Sequence, residues 1–368
     1  MDDWSIICLF LILFMFMILL WGRHCTRHIV TPEALLRHYA APETPENFQN
    51  TSHPQILPIS FAIPLSMFRV PGKKTDEFSK LIPGERSTYI YNTEDEYFAQ
   101  YQRSKFGITK IKAGRDCMRH YEIIAAGAIP YFKDLHRVPK RTMHNFPRDI
   151  VTRAMNGENY EKCLAELQEY ARKNLTTEAL GKYFLEKVGL VAASDNAQRR
   201  RSVASDNAQR RRSVASDNAQ RRILFVSQPS LIGANIDYQR DCLAIGLLST
   251  GASIDFYEDL PWLFDDYTGD CSSLYGMGYS ICKKVPASKH RLPTAALHAN
   301  VYDLIIVATS SSHFKLDSEI TKWLEKQSSV PKALVMGNDG SFTDETVLQL
   351  ARKSYTFPFQ FIFVRELN

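Results

Sequence analysis

The second half of the chain alternates short, predominantly apolar runs with longer stretches of mixed polarity. The runs are "ILFVS" (223–227), "LIIVATS" (304–310), "KALVMG" (332–337) and "FPFQFIFV" (357–364). A run whose apolar residues do not alternate with polar ones has no solvent side, as expected of a strand buried on both faces. Between the runs lie "DYQRDCLAIGLLSTG" (237–251), "SEITKWLEKQ" (318–327) and "DETVLQLARKS" (344–354), which predict helices, while "ASIDFYED" (252–259) predicts a further strand. Strand–helix alternation implies a parallel sheet covered on both sides. In such sheets ligands bind outside the carboxyl ends of the strands, where this chain has polar loops.

The first half is patterned differently. Short apolar runs "ISFAIP" (59–64), "STYIY" (87–91) and "AIPYF" (128–132) predict strands. "EDEYFAQYQ" (94–102) and "DCMRHYEIIAA" (116–126) predict helices. "NYEKCLAELQEYARK" puts Tyr160, Cys163, Leu164, Leu167 and Tyr170 on one helical face, and "TTEALGKYFLEKVG" follows with Thr176 or Thr177 as its N-cap. The organisation expected is an anchor at 5–22, a stalk at 23–55, a first α/β block at 56–190, a linker at 191–222 and a second block at 223–368.

The anchor is read from Ile6–Trp21, an uncharged stretch flanked by Trp4 and Trp21 as interfacial residues flank a span. Sixteen helical residues reach ~24 Å, enough for a thin bilayer. The acidic start, Asp2 and Asp3, and the lack of a small-residue cleavage site argue against a signal peptide. Arg23, Arg27 and Arg37 follow the span and favour a cytosolic main body, whereas the triplets at Asn50 and Asn174 fit glycosylation on the other side. The linker repeats "ASDNAQRRRSV" at an 11-residue step, with Ser194, Ser205 and Ser216 in register. Its apolar residues are Ala and Val alone, so it cannot build a core and reads as a spacer. "RRRSV" also has the form of a basophilic-kinase target at Ser202 and Ser213.

Charge changes little in this picture. The chain has 45 basic and 40 acidic residues, net +5. The repeat carries that whole excess, with eight arginines and three aspartates, so the rest is balanced and no nucleic-acid surface is expected. Seven scattered cysteines include no C-x-x-C pair. They predict no disulfide framework and no metal site.

The stretch with most chemical content is "KIKAGRDCMRHYEIIAAGAIPYF" (110–132), read as loop, helix, turn and strand. Gly114 leaves the backbone N–H groups before the helix open to a phosphate, with Lys112 adding charge. Arg115, Arg119 and Glu122 recur at helical spacing on one stripe. An arginine fork suits a diphosphate and a carboxylate suits sugar hydroxyls. Spacing alone favours a plainer reading, a solvated face laced by ion pairs. Gly127 is placed to end the helix in a left-handed cap.

Residues 112–132 resemble the donor-site signature of GT-B glycosyltransferases, of the group-1 and exostosin-like kind. "PISFAIP" (58–64), "STYIY" and "TMHNFPRDI" (142–150) resemble its flanks. "ILFVSQPS", "DYQRD" (237–241), "LYGMGYS" (274–280), "YDLIIVATSSSH" and "FVREL" resemble the acceptor-side domain of the same enzymes. The resemblance implies two Rossmann-like domains in GT-B architecture, donor-binding at 56–190 and acceptor-side at 223–368, with an N-terminal transmembrane helix. It implies transfer of a sugar from a UDP- or GDP-linked donor to a glycan, protein or lipid acceptor, at an endomembrane of Golgi or ER type, without metal or other cofactor. Lys112, Gly114, Arg119, Glu122 and Gly127 match the donor motif and are the implied donor-binding residues, with Arg115 beside them. Arg115 departs from it, standing where the motif has tryptophan. Block order is also inverted relative to the family, as in a circular permutation, so Leu367 and the stretch around Ile56 are expected to be neighbours. An inverting enzyme needs a general base. Asp237, His313 and Asp339, in loops after predicted strands, are the candidates. Two other readings remain: a non-catalytic nucleotide-sugar binder, and a membrane-held interaction protein working through its arginine repeat.

Overall fold

A computed structural model of the chain describes residues 53–190, 222–227, 236–287, 302–309 and 316–368. The predicted anchor, nearly all of the stalk, nearly all of the linker, Asn50 and His313 lie outside the described residues. Among the described residues no helix is long and apolar enough to cross a membrane.

In chain order the elements are β1 (Gln55–Pro58), β2 (Asp76–Phe78), α1 (Glu94–Gln102), β3 (Ser104–Ile108), α2 (Met118–Ala125), β4 (Ile129–Tyr131), α3 (Arg148–Met155), α4 (Tyr160–Asn174) and α5 (Thr177–Lys187). There follow β5 (Arg222–Ser227), α6 (Tyr238–Ser249), β6 (Ser253–Phe256), β7 (Leu304–Thr309), α7 (Ser318–Lys326), β8 (Lys332–Met336), α8 (Asp344–Ser354) and β9 (Phe361–Val364). Two parallel sheets result. One has six strands in the order β1-β9-β8-β7-β5-β6, the other three in the order β2-β3-β4. This is a mixed α/β fold of Rossmann-like character.

The six-stranded sheet is apolar on both faces, which accounts for the unbroken apolar runs. Ile223, Phe225, Leu304, Ile306, Ala333, Val335 and Phe363 point to one core. Their neighbours Leu224, Val226, Ile305, Val307, Leu334, Met336 and Ile362 point to the other. The first of these cores continues without a break into the packing of the smaller sheet. Helices start where side chains cap them: Thr93 for α1, Asn159 for α4, Thr176 for α5, Asp237 for α6, Asp317 for α7 and Thr343 for α8.

Three expectations for the first half need correction. "ISFAIP" is not a ladder strand; the strand is β1, just before it. The polar backbone groups of 59–63 instead go outward. Ile59 N donates to Val364 O, Phe61 N to Asp116 Oδ2 and Ile63 N to Leu175 O. "STYIY" is a short 3₁₀ turn and loop, with Tyr89 and Ile90 exposed. The smaller sheet is instead completed by β2 and β3, which the apolar pattern did not mark.

Elements from the first half also join the larger sheet. β1 pairs with β9, Ile56 lying opposite Ile362 and Pro58 opposite Val364. The last strand thus lies beside the Ile56 stretch, whereas Leu367, the residue expected there, bridges to Phe342. Helix α5 crosses to pack on α6 through two glycines. A Cβ on Gly181 would stand 2.4 Å from Gly246 O, and one on Gly246 would stand 2.1 Å from Thr177 O.

Candidate functional site

The carboxyl ends of β8 and β9 meet the loop before α2, and charged side chains fill the junction. Arg365 is 2% exposed and Glu366 0% exposed, unusual for charged residues unless they are paired. Arg365 donates from Nε to Gly337 O at 3.0 Å, and from Nη1 to Asp116 O at 2.6 Å and to Glu366 Oε1 at 2.8 Å. Its Nη2 pairs with Asp339, and its guanidinium lies over the Phe61 ring at 4.6 Å. Glu366 Oε1 also accepts from the backbone N–H groups of Arg115 at 2.9 Å and Asp116 at 3.0 Å. The N–H pair that the sequence offered to a substrate phosphate is thus held by the protein's own carboxylate.

Gly114 is required by this arrangement. A Cβ there would stand 2.5 Å from Asp339 Oδ1 and 2.9 Å from Glu366 Oε1. Arg115 leaves the α2 stripe and reaches across the seam, donating to Gly340 O at 2.8 Å and lying 3.6 Å from Glu366 Oε2. Asp116 accepts from Phe61 N at 2.9 Å and from Tyr121 OH at 3.0 Å. Burial raises its pKa to about 6, against the pull of Arg365, and burial likewise raises that of Glu366. His120 fixes the loop from within: Nδ1 lies 3.0 Å from Thr109 Oγ1 and Nε2 2.9 Å from Arg115 O. Burial holds its pKa down, so the ring is neutral, and a proton on Nε2 satisfies both contacts.

The other two predicted donor residues form a second group along α2. Glu122 is buried. Its Oε2 accepts from Tyr97 OH at 2.6 Å and its Oε1 from Ser280 Oγ at 3.0 Å. Burial raises its pKa, opposed by the Tyr97 bond and by Arg119. Arg119 donates to Tyr89 OH at 3.2 Å and stacks on that ring at 5.6 Å. Among the described residues it has no acidic group within ion-pair distance. Its Nε is buried without a hydrogen bond.

Ser280 reaches Glu122 from the second half of the chain, on a segment with unusual backbone. Gly276, Met277, Gly278, Ser280 and Lys283 all have left-handed φ, a region costly for the three that bear side chains. A disulfide between Cys271 and Cys282 closes the segment. This corrects the expectation of no disulfide: a pair eleven residues apart carries no spacing signature. The segment is tied to α1 as well, Glu94 accepting from Ser280 N and from Lys284 Nζ, both at 2.7 Å. Tyr279 lies against Tyr97 with ring centroids 5.3 Å apart.

The sequence candidates therefore separate. Gly114, Arg115 and Asp339 come together at the seam, and Arg119 and Glu122 lie together farther along α2. Lys112 is exposed, and among the described residues only its backbone is engaged, its N–H donating to Gly114 O at 3.2 Å. Gly127 ends α2 with φ +81°, the expected left-handed cap, and packs on Pro71 away from both groups. Asp237 caps α6, its Oδ1 accepting from Gln239 N and Arg240 N. Arg365, Glu366, Asp116, Tyr97 and Ser280 were missed. A charged pair directly after an apolar strand, as in "FIFVREL", was the available signal for the first two. No family model, no curated protein and no solved structure matches this chain.

Proposed function

We propose that the protein is a membrane-anchored, two-lobed glycosyltransferase of GT-B type, binding a nucleoside-diphosphate sugar beside α2 with the anchor at 5–22. One observation carries the reading. Arg119 is a half-buried cation with no acidic partner among the described residues, one helical turn from the buried carboxylate of Glu122. A guanidinium without an acidic partner, beside a carboxylate that already accepts from two hydroxyls, suits a pyrophosphate joined to a sugar. Arg119 and the ends of nearby helices are the groups that would stabilise the departing diphosphate. The inverted block order is consistent with β1 lying beside β9. The Cys271–Cys282 bond favours an oxidising compartment, hence the lumenal side of an endomembrane rather than the cytosol.

The test is a thermal-shift panel of UDP- and GDP-sugars on the intact chain, with Glu122→Ala alongside. Stabilisation by one donor series that is lost in the variant is the expected result. No response to any nucleotide sugar would end the proposal.

A second reading, a binder without turnover, draws on two further contacts. Glu366 occupies the N–H pair at 115 and 116, and Asp339 is tied to Arg365. Binding without transfer or donor hydrolysis would select it.

A further inference from the structure

A solvent-open cleft of about 440 Å³ lies between the two halves of the chain at the start of α1. Arg69, Glu94 and Asp95 line one wall, and Asp265, Lys283 and Lys284 the other. Glu122 stands one residue behind this cleft. The Glu94 side chain, a quarter exposed, takes the N–H of Ser280 at 2.7 Å, and the Ser280 hydroxyl goes on to Glu122 Oε1 at 3.0 Å. Ser280 is itself 0% exposed, so it forms a partition with a carboxylate on each side.

That partition is held in a costly shape. Ser280 has φ +66°, a region in which a side chain crowds its own backbone. Its neighbours are fixed independently of it. Ile281 is buried, Ile281 N and Cys282 N both donate to Gly278 O, and Cys282 is bonded to Cys271. A rotation at Ser280 toward ordinary backbone would withdraw its N–H and its hydroxyl together while the flanking residues stay in place. Residues in such conformations persist where their surroundings hold them, and they gather at clamps and switches. The groups that hold this one are Glu94 and Glu122.

What Ser280 gives Glu122 is a hydroxyl, the same group that a sugar would bring. We infer that Ser280 is an internal stand-in for a ligand hydroxyl, an autoinhibitory contact that a polyhydroxylated ligand entering from the cleft displaces from Glu122. This rests on the donor-binding reading above. The exchange conserves hydrogen bonds. One ligand hydroxyl takes over Glu122 Oε1 and a neighbouring one takes over Glu94 Oε2, while the released Ser280 turns to the water of the cleft. Tyr97 keeps the other oxygen of Glu122, and Lys284 the other oxygen of Glu94. A carboxylate that is buried in the free protein thereby becomes reachable without movement of α2.

The experiment compares wild type with Ser280→Ala, which deletes the hydroxyl and keeps the Cβ that makes the backbone costly. Each is measured for the Tm of the free protein and for the affinity of UDP-glucose and GDP-mannose. The variant should melt lower, because Glu122 loses a donor. It should nevertheless bind its nucleotide sugar about tenfold more tightly, because no internal bond has to be broken first. Unchanged or weaker affinity would overturn the stand-in and leave the donor reading standing. An unchanged Tm would overturn it as well, by showing that the contact is not made. Hydrogen exchange of wild type needs no variant and decides alone should Ser280→Ala fail to fold. Saturating nucleotide sugar should speed exchange at the Ser280 amide, whereas slower or unchanged exchange there would overturn the displacement. Failure of both proteins to bind either nucleotide sugar removes this inference together with the donor reading.

Discussion

Replacing Glu366 by alanine tests the seam most directly. One carboxylate oxygen takes three hydrogen bonds, from Arg115 N at 2.9 Å, Asp116 N at 3.0 Å and Arg365 Nη1 at 2.8 Å. Bonds to a charged group contribute about 1.5–3 kcal/mol each, and removing one partner of a buried ion pair costs about 3–5 kcal/mol. These figures overlap, because the same oxygen serves all three donors, so they are not summed. Arg365 keeps Asp339 as a partner, which limits the damage. The expected loss is therefore about 3–5 kcal/mol. Glutamine keeps the accepting oxygen but turns an amide toward Arg115, whose Nη1 lies 3.6 Å from the second carboxylate oxygen, and should lose about 1–3 kcal/mol. Arg115→Ala should cost less still, because that side chain is a quarter exposed. Urea denaturation at neutral pH, comparing midpoints and slopes, gives the order wild type, Gln, Ala. An alanine variant within about 1 kcal/mol of wild type would refute the account of a seam closed by Glu366.

Three further outcomes are expected. Gly246→Ala should destabilise more than Gly114→Ala, because the first drives a methyl into the backbone of α5 and the second mainly into side-chain ends. Equal melting temperatures would contradict that packing. Asp116 has a folded pKa of about 6 against 3.8 unfolded, so the folded state binds the extra proton, and its contribution to stability is lost as pH rises between those values. Asp116→Asn should therefore gain on wild type by on the order of 3 kcal/mol across that window, and parallel pH–stability curves would show that the carboxyl is not buried as described. Opening the Cys271–Cys282 bond, by reductant or by a double serine variant, should lower stability by about 3 kcal/mol from loop-closure entropy, read as a drop in Tm. An unchanged Tm under reductant would mean that the bond does not form.

The larger sheet was legible because burial on both faces leaves one solution for runs such as "ILFVS" and "LIIVAT". The start of α5 was legible for a local reason: of the two threonines offered, Thr176 caps it. β2 and β3 were hidden because "DEF" and "SKFGI" are half polar. Their aromatics pack on one another and on Tyr131 and Tyr160 at the sheet face rather than in an apolar run. Helix periodicity put Arg115, Arg119 and Glu122 on one stripe, but α2 begins only at Met118. Arg115 is consequently free to turn toward β9. The long-range partners of the site, Ser280 for Glu122 and Glu366 for Arg115, follow from tertiary docking, which no local pattern encodes.

The Glu366 contacts also set a timetable for synthesis. Arg115 and Glu366 are 251 positions apart, so the loop before α2 leaves the ribosome long before the carboxylate that satisfies it. At the usual pace of translation that interval is about 10–50 seconds. Throughout it water alone answers the two N–H groups and covers the flank of Phe61, until the strand that carries Arg365 and Glu366 slides in beside β1.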